Sequence, residues 1–397
     1  MIVLKKLLNI RGFNNATSSI VAILAGLLFG FIVLLISNPA QAADGFIIIL
    51  KGGFSTGGKG MGQVMYFATP LILTGLSVGF AFKTGLFNIG AAGQFIMGAF
   101  AAVYVGVKWT FIPAPFHWMV ALLAATLVGA LWALIPGLLK AYLNVHEVIS
   151  TIMMNYIGMY LANFMVKTTV YDSKKALSMS VAESAVLPKA GLDKIFYSIT
   201  PSGTVDVSTV NCGFYIALGV AIVMYIVLNK TTFGYELKAC GFNRNASKYA
   251  GINEKRSIVL SMVIAGALAG LGGGLLYLSG VNGRHIKPVD VLAPEGFNGI
   301  PVALLGLSNP IGIIFSAIFI SYITLGGNYL QRLDFVPEII DIIIACIIYF
   351  SAFALLFRNI LPALLKWRMS VAEKKSGQAP ADDTETQKTE IQEGKES

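Results

Sequence analysis

Residues 257–279 read SIVLSMVIAGALAGLGGGLLYLS, a run without a single charged side chain. An α-helix needs about 20 predominantly apolar residues to cross roughly 30 Å of hydrocarbon, and this run has that length. Gly266, Gly270, Gly272, Gly273 and Gly274 all lie inside it. Small residues let helix backbones approach closely in lipid, so close helix packing accounts for them better than a phosphate-binding loop does.

Comparable runs lie on both sides, at roughly 18–37, 61–82, 90–107, 118–139, 147–166, 211–229, 310–328 and 337–357. A further run at 296–306 is too short to cross alone and reads as a broken or re-entrant helix sheltered by its neighbours. The expected fold is therefore all-α: a polytopic transmembrane helical bundle of about ten membrane segments. Composition agrees. Of 397 residues, 56% are hydrophobic and 12% charged, against about 25% charged in a soluble domain. The charge is gathered between the apolar runs. The net charge of +9 forms no single basic stripe, which points to membrane orientation and away from nucleic acid.

Lys5, Lys6 and Arg11 precede the first run, and Ala40-Gln41-Ala42 resembles a cleavage site. The run is longer than a signal-peptide core, so a retained anchor is expected. Most of the 29 Lys and Arg fall on the inner side if the N-terminus is cytoplasmic. That orientation makes 1–17 a cytoplasmic N-terminus, 18–357 the membrane domain and 358–397 a cytoplasmic tail, disordered from about 373. It makes 167–210 the longest external loop and the basic stretch 230–256 the longest internal one. A multi-pass protein of a bacterial cell membrane is the expected setting.

Gly85-Leu86-Phe87-Asn88-Ile89-Gly90 recurs loosely as Gly296-Phe297-Asn298-Gly299-Ile300. Each string follows a complete span and opens a Gly-containing segment, and the two start on opposite sides. Inverted repeats with interrupted helices are a recurring transporter plan. Chance likeness of two short Gly-rich strings is the competing reading.

The ten segments contain no Lys, Arg or His, and their carboxylates, Glu147, Glu338 and Asp341, all open helices. A carboxylate in a first turn is favoured by unpaired backbone N–H groups, so a capping role accounts for Glu147. Proton relays keep ionisable groups in mid-membrane, so their absence argues against proton coupling and for an energy source on a partner. What remains inside is neutral and polar: Asn88, Gln94, Asn155, Asn298 and Asn328, with Thr74 and Ser77. Amides can hydrogen-bond an uncharged polar solute without holding it fast, as a passage requires. They also serve as glue between packed helices. Asn88 and Asn298, with Phe87 and Phe297 beside them, are the better candidates for the passage because both amides sit where helices break. No metal site, cofactor or catalytic constellation is visible. Cys212, Cys240 and Cys346 are scattered, as are His117, His146 and His285, and no G-x-x-x-x-G-K-[ST] pattern occurs.

The internal loop carries small residues at Ala246 and Ala250, Tyr249 between them and Gly251 after them. This pattern predicts a short amphipathic helix ended by glycine. Such a helix can dock in a groove of a cytoplasmic partner or lie on the anionic inner leaflet.

Gly234, Glu236, Leu237, Ala239, Gly241, Asn243, Ala246, Ala250, Gly251 and Ile252 match a pattern of bacterial ABC importer permeases. The loop resembles the coupling loop of the branched-chain amino acid, ribose and simple-sugar superfamily, with Lys238 where Arg is usual and Ser247 where Ala is usual. Thr84 to Gln94, Glu147 to Tyr156, and Gly296 to Gly306 resemble motifs of its nucleoside-type branch, with Ala92 in place of the usual Glu. The resemblance implies a second permease chain, a cytoplasmic ABC ATPase and an external substrate-binding protein or lipoprotein. It also implies inward passage of nucleosides, purine nucleosides above all. Ribose-type sugars or branched-chain amino acids are the nearest alternative cargo. A stand-alone carrier or channel is the alternative from another class, and a membrane enzyme has no supporting constellation.

Overall fold

The computed structural model describes residues 11–200, 203–279, 284–333 and 335–352. The chain divides into two units, 1–24 with 353–397, and 25–352. Of the first unit only 11–24 is described, the opening of helix α1 (Arg11–Ser37). Residues 1–10 and the expected tail 358–397 lie outside the described residues.

The second unit continues through α2 (Ala42–Lys51), α3 (Gly57–Lys83), α4 (Ala91–Lys108), α5 (Ala114–Leu143), α6 (Glu147–Thr169) and α7 (Gly213–Lys230). Then follow α8 (Thr232–Phe242), α9 (Arg244–Tyr249), α10 (Glu254–Tyr277), α11 (Pro294–Phe297), α12 (Gly299–Leu305), α13 (Pro310–Asn328) and α14 (Pro337–Ala352). Among the described residues, seven helical stretches are long and apolar enough to cross a membrane: 42–83, 91–108, 114–143, 147–169, 213–230, 254–277 and 310–332. This is a multi-pass membrane protein.

Two helices organise the core. From Ala68 to Ala81, α3 is buried on every side. In α10, Gly270 lies against the backbones of Gly98 in α4 and of Gly129 in α5, and Gly273 against the Phe95 carbonyl. No side chain fits in those gaps, which is why the α10 sequence is rich in glycine. The outward face is apolar instead of polar. Leu123, Leu127, Leu131, Ile135 and Leu138 of α5 are exposed at one-turn intervals, as are Met153, Ile157, Tyr160 and Phe164 of α6. Lipid supplies the missing neighbours for such stripes.

The fold is mostly helical, as expected, and three details differ. First, two short antiparallel hairpins, 171–172 with 177–178 and 197–199 with 205–207, stand in the stretch 167–210 read as an external loop. Secondly, α2 was not expected, because its apolar run is too short to span. It buries Ala42 and Ile49 in one core with Leu34, Ile323, Leu330, Phe335, Ile339 and Ile343. Thirdly, the helices extend beyond the apolar runs and take in His117 and Lys140. Buried His117 bonds the Ser184 hydroxyl at 2.7 Å and the Val105 carbonyl at 3.0 Å, a structural role.

The helices alternate between two ends. One holds the hairpins, where Lys59 at the start of α3 pairs with Asp206. The other holds α8 and α9.

Candidate functional site

The first break lies between α3 and α4. Thr84 closes α3 by donating to the Ala81 carbonyl at 2.7 Å, and its hydroxyl bonds that of Ser261 on α10 at 2.6 Å. Gly85 turns the chain with φ +70°, a region that penalises any side chain. Asn88 then reaches back into the core. Its Nδ2 donates to Ser77 Oγ at 3.1 Å and to Gln94 Oε1 at 2.8 Å, and Gln94 Nε2 donates to Asn88 Oδ1 at 3.0 Å. From α6, Asn155 accepts the Gly93 N–H at 2.8 Å and donates to the Ile89 carbonyl at 3.0 Å.

Asn88, Gln94 and Asn155 are all but inaccessible, at 0%, 1% and 1% exposure. Both donors of Asn88 and an acceptor are spent on protein partners. In this arrangement the three amides brace the break across α3, α4 and α6. Phe87 is half-buried and stacks on Phe82 with centroids 5.0 Å apart.

The second break differs. Helices α11 and α12 form one short helix interrupted at Asn298, which keeps helical angles of φ −63° and ψ −14°. Pro301 causes the interruption, because it has no N–H to offer the Phe297 carbonyl four residues earlier. Gly296 is seated on the Ala92 backbone of α4, and Gly299 on Thr74 of α3. The two breaks therefore meet inside the helical body. Asn298 and Phe297 are half-buried, and among the described residues the Asn298 side chain has no hydrogen-bond partner. Sequence reading placed Asn88 and Asn298 together as passage residues. The structure places both at breaks but leaves only Asn298 with a free amide.

Sequence reading missed a charged pair here. Glu295 opens α11, its side chain 14% exposed, and takes Arg284 Nη1 on Oε1 at 2.7 Å. Both residues lie between apolar runs in the sequence. Only folding brings them to the second break, and the adjacency of Glu295 to the Gly296–Asn298 motif was the available signal.

At the opposite end, α8 and α9 cover residues 232–249. Thr231 caps α8 by accepting the Gly234 N–H at 3.1 Å, and Asn243 caps α9 by accepting the Ala246 N–H at 3.0 Å. Gly251, at φ +81°, ends α9. The expected short helix and its glycine stop are present. Gly234 is buried against Val227 and Leu228 of α7, while Ser247 turns inward and donates to the Asn243 carbonyl at 2.9 Å. The outward surface is made by Tyr235, Glu236, Phe242, Ala246, Tyr249 and Ala250, with Phe242 and Tyr249 at 95% and 94% exposure. Ile252 is half-buried.

Gly241 of α8 faces the first break directly. A Cβ on Gly241 would lie 2.7 Å from the Thr84 carbonyl carbon and 2.8 Å from Gly85 N; one on Gly85 would lie 2.9 Å from Gly241 Cα. A cleft of about 400 Å³ opens beside this contact, lined in part by Lys140, Glu147, Asn243 and Arg244. Within it Glu147 pairs with Lys140 at 2.7 Å, tying the end of α5 to the start of α6. The ion pair adds to the expected first-turn role of Glu147, whose place also puts it within reach of Lys140.

The family model "Branched-chain amino acid transport system / permease component" matches residues 60–352. The chain belongs to this permease family. The guanosine ABC transporter permease protein NupP of Bacillus subtilis is 38% identical over 364 residues, covering 90% of this permease and 99% of NupP. The nucleoside ABC transporter permease protein NupB of Lactococcus lactis is 36% identical, covering 92% and 99%. The glucose ABC transporter permease protein TsgB13 of Haloferax volcanii is 30% identical, covering 92% and 93%. The Bacillus and Lactococcus relatives each have a second, more distant counterpart that also matches this permease, NupQ and NupC. No solved structure matches it.

Proposed function

We propose that this permease is one of two membrane chains of an ATP-driven bacterial importer that carries purine nucleosides inward. The contact that carries the reading is Gly241 on Gly85. An exposed aromatic surface built for a partner sits directly on the turn that opens the first break. A motor that moves α8 and α9 has this route into the helical body. The motor is a separate cytoplasmic ATPase, and an external binding protein hands substrate to the hairpin end.

The topology follows. To the seven long stretches we add α1, the interrupted helix 294–305 and α14, giving ten membrane segments with both termini cytoplasmic. The chain before α11 lies at the hairpin end, where Ser178 N–H donates to the Ile286 carbonyl at 2.9 Å. The first break opens at the α8–α9 end. That opposition supports an inverted repeat.

Four nucleoside permeases from two bacteria stand among the relatives, and the free amide of Asn298 at the second break suits an uncharged polar solute. The glucose relative keeps simple sugars as the second reading. Uptake of labelled guanosine, adenosine and ribose in a strain stripped of other carriers tests this. Nucleoside uptake that depends on this permease and on ATP is expected. Unchanged nucleoside uptake after its deletion would refute the proposal.

A further inference from the structure

The pair Glu295 and Arg284 is not used by anything above. Glu295 directly precedes Gly296, which rests on the α4 backbone at Ala92. A carboxylate carried within a membrane helical body is costly, so one that is kept is paired or functional. Glu295 is paired through Oε1 only. Among the described residues its Oε2 has no partner, and the 14% exposure of the side chain leaves it reachable. Arg284 is half-exposed and lies over the Phe67 ring, 5.4 Å from its centroid. Asn298 follows Glu295 by three residues, the spacing that puts side chains on one face of a helix. Its amide is free, and the neighbouring Phe297 carbonyl has lost its helical partner to Pro301. Thus an acceptor pair, an amide and a carbonyl stand together at the second break.

Resting on the nucleoside reading, we propose that Glu295 is the residue that selects the base, accepting the N1–H and 2-amino donors of a guanine-type purine. Asn298 complements it by donating to the 6-oxo group, and Arg284 holds the carboxylate when no substrate is present. Adenine presents an unprotonated N1 at that edge. Two acceptors then face each other, so adenosine is disfavoured. A carboxylate also accepts the two hydroxyls of ribose, a chemistry blind to the base.

The test compares guanosine, inosine and adenosine uptake by the complete importer carrying wild-type or Glu295→Gln permease, in cells without other nucleoside carriers. A glutamine amide pairs with the adenine edge and meets the guanine 2-amino group less well. The guanosine-to-adenosine ratio is expected to fall about tenfold, the scale of one lost bidentate pair, with inosine the least affected. Should the single variant fail to reach the membrane, Arg284→Gln/Glu295→Gln removes both charges together and leaves neither unpaired; the same fall in ratio is expected. An unchanged ratio, or an equal loss for all three nucleosides, overturns the assignment while leaving the nucleoside reading intact. A wild-type importer that takes up none of the three overturns both.

Discussion

The contact between Gly241 and Gly85 predicts a specific failure. In Gly241→Ala, the added Cβ would meet the Thr84 carbonyl carbon at 2.7 Å and Gly85 N and Lys83 O at 2.8 Å each. All three are backbone atoms, so no rotamer change relieves them, and the turn must separate from α8. Overpacking of this kind costs about 1–3 kcal/mol. Gly85→Ala meets Gly241 Cα and O at 2.9 Å from the other side and adds roughly 1–2 kcal/mol for a side chain in the left-handed region. Because both methyl groups open the same gap, the double variant should cost less than the sum. The assay reads two quantities in the assembled importer, nucleoside uptake and ATP hydrolysis stimulated by loaded binding protein. Uptake is expected to fall tenfold or more in either single variant, with the permease still in the membrane and hydrolysis no longer tied to transport. Near-normal uptake in both variants, or purely additive losses, would refute the reasoning.

Three further outcomes follow from the same geometry. Ala246 is exposed, so Ala246→Trp should leave membrane abundance unchanged while abolishing uptake and capture of the ATPase in a pull-down. Asn88→Leu should strand the Ser77 hydroxyl and Gln94 amide and lower stability by about 1–3 kcal/mol, read as a lower Tm in detergent. Asn88→Leu/Gln94→Leu should recover part of that loss, because the unpaired amide is gone too. Gly270→Val puts a branched side chain where the Gly98 and Gly129 backbones lie, and immunoblotting of membranes should find little or no protein.

Hydrophobic length is a strong signal in lipid, which is why the expected run 310–328 coincides with α13 and the other long spans differ only at their ends. The glycine stop at Gly251 was also legible, since a left-handed residue after a short helix is a local requirement. What escaped was set by tertiary contact. The ten-residue α2 carries too little apolar length to announce itself, and only its seat on α13 and α14 makes it a helix. The hairpin strands are two or three residues long, too short for a period-two pattern to appear. Asn155 sits 62 residues from Gly93, so nothing local says that its amide bonds across the first break. Glu295 and Arg284 fall between apolar runs and read as loop charges until Gly296 is seen seated on α4.

That division of labour among the polar groups bears on how the permease works. Contact alone does not establish coupling, which is carried by packed, hydrogen-bonded elements with two discrete arrangements. From Gly85 to Ala92 the chain is one braced segment, because Asn88, Gln94 and Asn155 spend their hydrogen bonds holding it together. One end of it meets Gly241 on α8 and the other carries Gly296 of the second break. On the proposed coupling, a displacement of α8 would reach the free amide of Asn298 through this braced segment, where a flexible loop would absorb it. The buried amides are in this account mechanical parts, and the solute meets the groups that the fold leaves unpaired. A single ion pair at Glu295 and Arg284 makes no proton relay, which needs successive ionisable groups across the membrane. In the proposed importer the driving force enters at the aromatic surface of α8 and α9. Asn88→Leu separates the two ideas: it touches no proposed substrate group, so it should weaken transport equally for every nucleoside, whereas Glu295→Gln should change which nucleoside is carried.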